Sequence, residues 1–187
     1  MAEYYLISQL PTLDGINENM PLPITEERFL ELCESLLPKK VWAEVANLTL
    51  SPDVILPKSN SALVDAWNRG ERNLRLALSK VRAERMKKSF DIDMGSVAEL
   101  GELIKVANEA VDSETPMEAE IFLSKYRLEF LETLRPMDNF SQDFLFYYGL
   151  KLKLLLRIRQ FDTKLGEAAY KNIYNSILNG DSLEDVQ

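Results

Sequence analysis

The residues best equipped for chemistry in this chain are carboxylates and arginines. Asp91-Ile92-Asp93 sets two carboxylates side by side in a turn, the donor type that magnesium prefers. Before a helix cap, however, such a pair reads as a solvated loop. Glu99, Glu102 and Glu109 recur along one predicted helix as a carboxylate row, and here too a solvated face is the reading adopted. The chain contains no histidine. That count removes the usual di-iron bundle ligands, the usual general base near neutral pH, and the Ser-His and Cys-His couples. The seven glycines are scattered and form neither a dinucleotide-binding nor a P-loop pattern. The single cysteine, Cys33, excludes an internal disulfide framework and falls on an apolar helix face, where it reads as a small core hydrophobe. No catalytic, cofactor-binding or metal-binding residue is expected, and the chain reads as non-enzymatic.

Arginine is the more informative type. The net charge is −8, unevenly distributed. Residues 61–90 carry eight basic and three acidic residues, whereas 91–132 carry three basic and eleven acidic ones. Arg69, Arg72, Arg75, Lys80, Arg82, Arg85, Lys87 and Lys88 therefore crowd one helix. Three readings are open. The arginines pair with the acidic 91–132 segment or stand in solvent; they form a docking surface for an acidic protein partner; or they bind nucleic acid. The last is disfavoured, because Trp67 lies on the core face and the aromatic interleaving of single-strand binders is missing. Arg72, Arg75, Arg82 and Arg85 are the candidate contact residues, with Tyr4 and Tyr5 as secondary ones.

These residues must be positioned by helices. The start EYYLISQLPTL has β-formers before Pro11 and predicts a short extended segment. Thr25 predicts an N-cap with Glu26 and Glu27 in the first turn, and Pro38 a stop. A short helix over 39–47 follows, then a Pro- and Ser-containing link. From Ser61 to about Lys88, Leu63, Trp67, Gly70, Leu74, Ala77, Leu78 and Val81 repeat at helical steps. Gly70 in that stripe costs about 1 kcal/mol against alanine, which predicts the close approach of another helix. Ser96 predicts a cap, Thr115-Pro116-Met117-Glu118 a strong helix start, and Ser141 a further cap. Phe122, Tyr126, Phe130 and Leu134 are expected inward on the helix from Thr115. A last helix is expected to begin at Asp162 or Thr163, with Leu165, Ala169, Ile173 and Ile177 on one side. The expected fold is all-α, with about six or seven helices and a short extended N-terminal segment. Residues 1–58 supply that segment and a helical pair, and 59–187 the main bundle, together packing as one unit.

The stretch Phe144–Phe161, FLFYYGLKLKLLLRIRQF, decides the membrane question. A span needs about twenty mainly apolar residues, and charge at its centre is costly. Here Lys151, Lys153, Arg157 and Arg159 interrupt the run, yet they gather on no single broad polar face. A helix apolar almost all round is one buried between other helices. The start MAEYYLISQL has no basic region and too short an apolar run for a secretory signal, so the expected location is cytoplasmic, without direct membrane insertion.

The segments YYLISQLP, WNRGERNLRLALSKVRAERM, YRLEFLETLRPMDNFSQDFLFYYGLKLKLLLRIRQFD and KLGEAAYKNIY resemble a small family of bacterial proteins encoded beside the subunits of V-type (A/V-type) ATPases. That family is similar to a shortened form of the central-stalk socket of these ATPases, the helical component joining the rotary axle to the membrane ring. The resemblance covers most of the chain and rests on aromatic, Leu and Arg positions, which are structural. It implies V-type ATPase subunits as partners, a mechanical role without cofactor, and a place at the inner membrane held through the complex. This chain is much shorter than the three-part socket, so the resemblance does not imply a complete funnel. No catalytic residue carries over.

Overall fold

The computed structural model describes residues 2–16, 20–52, 59–90, 100–161 and 170–175. Among these there is no strand. The elements are α1 (Ala2–Gln9), α2 (Glu26–Leu36), α3 (Lys39–Ala46), α4 (Ala62–Arg85), α5 (Leu100–Asp112), α6 (Pro116–Thr133) and α7 (Gln142–Gln160), and residues 170–175 are also helical. The fold is all-α.

Four helix starts lie where small polar residues take up free backbone N–H groups. Thr25 Oγ1 accepts from the Arg28 N–H at 3.2 Å, Ser61 Oγ from Val64 at 3.2 Å, and Ser141 Oγ from Phe144 at 3.2 Å. At α6 the capping is reciprocal. Glu118 N–H donates to Thr115 Oγ1 at 3.2 Å, the Thr115 N–H donates to Glu118 Oε2 at 3.3 Å, and Pro116 occupies the first turn. The expected cap at Ser96 lies outside the described residues.

The N-terminus departs from expectation: Ala2–Gln9 is a helix, not an extended segment. β-propensity describes how a side chain fits a half-buried sheet surface, and among the described residues there is no sheet for it to fit. The adjacent pair Leu6 and Ile7, with Leu10 one turn on, is instead a helical apolar edge. Leu6 and Ile7 are buried, α1 packs on α2 and α7, and Tyr4 and Tyr5 turn outward. Tertiary burial overrides local preference.

Two apolar clusters organise the molecule. The larger surrounds α7, whose Leu145, Phe146, Leu150, Leu152 and Leu154 are fully enclosed by side chains from α1, α2, α3, α4 and α6. Each such side chain contributes about 1.5–3 kcal/mol by leaving water. α7 is thus the core helix that its composition predicts, and no described helix is long and apolar enough to cross a membrane. The smaller cluster joins Leu74, Ala77, Leu78 and Val81 of α4 to Leu103, Ala107 and Ala110 of α5 and Leu123 of α6.

α4 runs through both clusters. Its buried stripe is the one the spacing predicts, except that Gly70 is half-buried and the neighbouring Glu71 is buried. At Gly70 the Phe130 side chain of α6 fills the space left by the missing side chain: a Cβ there would overlap the Phe130 ring, which lies 6.2 Å from the Trp67 ring centroid to centroid. On α6 the fully buried positions are Leu123, Ser124 and Leu131, while Phe122, Tyr126, Phe130 and Leu134 are half-buried. This helix bridges the two clusters rather than presenting one stripe to one core. In the final helical stretch Ile173 is exposed rather than inward; the rest of that predicted helix lies outside the described residues.

Candidate functional site

α4 rises 1.5 Å per residue, so its twenty-four residues make a rod of roughly 36 Å. The face turned away from the clusters carries a ridge at alternating four- and three-residue steps: Asn68, Arg72, Arg75, Ser79, Arg82, Met86. Three of the four candidate arginines share it. Arg72 and Arg82 are exposed and have no side-chain partner among the described residues. Arg75 is partly engaged, its Nε donating to Glu71 Oε1 at 3.2 Å and its Nη1 to the Pro52 carbonyl at 3.0 Å.

Arg85 belongs elsewhere. It lies off the ridge, donates to the Val111 carbonyl at 3.1 Å and pairs with Asp112, clamping the end of α5 to the end of α4. Here an arginine does pair with the acidic 91–132 segment; it serves the fold and is withdrawn from the contact surface. Tyr4 and Tyr5 are exposed on α1, where Tyr4 stacks on Phe140 at 4.4 Å. They form an aromatic patch on a different element from the ridge.

Two charged networks were not anticipated. In the first, Glu71 is buried and accepts two hydrogen bonds from Arg127 of α6, from Nε at 2.8 Å and Nη2 at 2.9 Å, besides the one from Arg75. The bidentate geometry is the strong form of this pair. Arg127 Nη1 is buried without a partner among the described residues. The sequence signal was a glutamate one turn after Trp67 and three residues before Leu74, inside an apolar stripe. A charge at such a position must bring its own counter-ion.

The second network surrounds Lys151, a buried residue of α7. Its Nζ donates to Asp14 Oδ1 and Glu132 Oε1, each at 2.7 Å, and to Tyr147 Oη at 3.1 Å. Tyr147 in turn donates to Glu132 Oε2 at 2.7 Å, and Arg135 approaches Asp14 at 3.2 Å. Burial alone would lower the pKa of the Lys151 ammonium. The hydrogen bonds to Asp14, Glu132 and Tyr147 outweigh it and hold the group above the ordinary lysine value. Asp14 is held below its ordinary value by the bonded Lys151, against partial desolvation. Burial, aided by the Glu132 hydrogen bond, pushes the Tyr147 phenol up to about 12. A lysine locked cationic and a phenol locked neutral make no acid–base couple near neutral pH. This cluster pins the 10–16 loop to α7, assisted by Tyr148 Oη donating to the Pro11 carbonyl at 2.8 Å.

Among the described residues no group of three His, Cys, Asp or Glu side chains is placed to hold a metal. Glu102 and Glu109 stand exposed on α5, while Asp91, Asp93 and Glu99 lie outside the described residues. Cys33 is fully buried and its thiol is pushed up to about 12 by burial, as a core hydrophobe requires. No family model, curated protein or solved structure matches this chain.

Proposed function

We propose that the chain is a non-enzymatic subunit or accessory factor of a bacterial V-type ATPase, an adaptor between rotor ring and axle that binds an acidic protein surface along the α4 ridge. One observation carries the binding mode: the four candidate arginines of α4 divide by use. Arg75 and Arg85 hold the fold together, whereas Arg72 and Arg82 stand on the outer ridge of a rod anchored in both clusters. Exposed arginines on a stiff support suit recognition of carboxylates, through electrostatic complementarity that sets orientation and on-rate. An adaptor under torque also needs helices that do not shear, and Arg157 of α7 paired with Glu120 of α6 at 3.0 Å adds a cross-tie beside the Glu71 and Lys151 networks. The ATPase itself enters through the family resemblance.

The test is affinity purification of the tagged chain from membranes of its own cells at low and high salt. The expected result is recovery of ATPase subunits at low salt and their loss at high salt, because exposed charge contacts are screened. Recovery of other proteins without any ATPase subunit would replace this reading with that of a free-standing helical interaction scaffold.

A further inference from the structure

The outer side of α4 carries more than charge. At about 3.6 residues per turn, the row opposite the buried stripe runs Arg72, Leu76, Ser79, Ala83 and Met86, again at alternating four- and three-residue steps. Leu76 and Ala83 are half-buried, Ser79 is exposed, and Met86 is 60% exposed. Leu76 packs into neither apolar cluster, unlike the leucines of the buried stripe. Lys80 flanks the row on one side and Arg82 on the other. From Arg69 to the end of α4, Glu84 is the single acid outside the interior. Leu76, Ser79, Lys80 and Ala83 stand at i, i+3, i+4 and i+7, the four corners of a hole in the helix surface. Two of these corners are small. A large apolar side chain can enter between them and bring the backbone behind it close to α4.

An apolar and small-residue row with cations on both sides selects by shape as well as charge. Nucleic acid or a merely acidic surface would use the arginines and leave Leu76 and Met86 unmatched. A helix whose apolar row is bordered by carboxylates matches both, and it can follow the row along its roughly 21 Å from Arg72 to Met86. We infer that this row seats an amphipathic α-helix of the partner, a large apolar side chain of that helix filling the hole and its carboxylates meeting Arg72, Lys80 and Arg82. This rests on the reading of α4 as a surface for an acidic protein, though not on that protein's belonging to the ATPase.

The experiment titrates the full chain against four dye-labelled probes at low salt and follows their anisotropy. The probes are a helical peptide with a leucine row bordered by glutamates, polyglutamate of the same length and net charge, the helical peptide with lysine for every glutamate, and a short DNA duplex. The acidic helix is expected to bind roughly tenfold more tightly than polyglutamate, and the lysine peptide more weakly than either. Ser79→Gln with Ala83→Gln fills the hole with long neutral side chains that suit a helix. That variant is expected to melt as the parent does and to bring the acidic helix down to the level of polyglutamate, whose own binding stays unchanged. Equal binding of the acidic helix and polyglutamate, or an undiminished acidic helix in the filled variant, would overturn the helical partner and leave the acidic-surface reading standing. Failure of both acidic probes to bind at millimolar concentration would overturn the two together. Tightest binding of the duplex would replace both with nucleic-acid recognition.

Discussion

The two buried charges among the described residues sit in opposite settings. Glu71, on α4, has a side chain 2% exposed, and its main partner Arg127 is 11% exposed, so both ions of that pair have left water. Lys151, on α7, is 7% exposed, but its carboxylate partners Asp14 and Glu132 are 51% and 39% exposed. In the first pair a lost partner strands a charge in the interior. In the second the surviving carboxylates can turn back to solvent. Equal hydrogen-bond lengths therefore do not mean equal cost; what decides is where the surviving partner is left.

The largest expected effect follows from the first setting. Glu71→Gln keeps the shape and leaves Arg127 buried without its counter-charge, so chemical denaturation should show a loss of roughly 3–5 kcal/mol. Replacing both residues, Glu71→Leu with Arg127→Met, should recover most of that loss, since the desolvation cost disappears together with the pair. A double variant as unstable as the single one would mean that packing, not charge, governs this site.

Lys151→Met sharpens the contrast. Two half-exposed carboxylates remain and Tyr147 keeps Glu132, so the expected loss is about 1–2 kcal/mol. A loss equal to that of Glu71→Gln would erase the distinction between the two networks. A smaller stability effect is that of Asp14→Asn, under about 1 kcal/mol at neutral pH, as for a rim ion pair. Its sign with pH is defined. Because the folded state holds the Asp14 carboxyl below its ordinary value, the stabilisation is complete above that value and fades as pH falls through the lowered one. The melting curves of Asp14→Asn and the parent should therefore converge below about pH 4. A gap that widened on acidification would contradict the assignment.

The regions also differ in how far they could be read from residue order. The apolar stripe Leu63–Trp67–Leu74–Val81 and the caps Thr25, Thr115 and Ser141 are local patterns, and the structure realises each of them. Gly70 predicts the close approach of another helix; what occupies the space is the Phe130 side chain of α6, not a neighbouring helix backbone. The charged networks were opaque because their partners are far apart in the chain: Lys151 meets Asp14 across 137 positions, and Arg127 meets Glu71 across 56. Periodicity can mark a glutamate on an apolar stripe as needing a partner, but it cannot say which of 22 basic residues supplies it. Arg85 shows the converse. It looked like its neighbours on the candidate surface, and only its contact with the end of α5 separates it from Arg72 and Arg82. At the N-terminus, side-chain type suggested strand while the packing of Leu6 and Ile7 required helix.

Fold and proposed function rest on one division of labour, inward charges for the fold and outward arginines for the partner. Charge reversal at the two exposed candidate positions of the ridge, Arg72→Glu with Arg82→Glu, measures it directly through paired readings of melting temperature and capture of partner subunits at low salt. The expected outcome is stability within about 0.5 kcal/mol of the parent, as for surface changes away from any network, with capture abolished. A doubly reversed protein that still retains its partners would contradict that division.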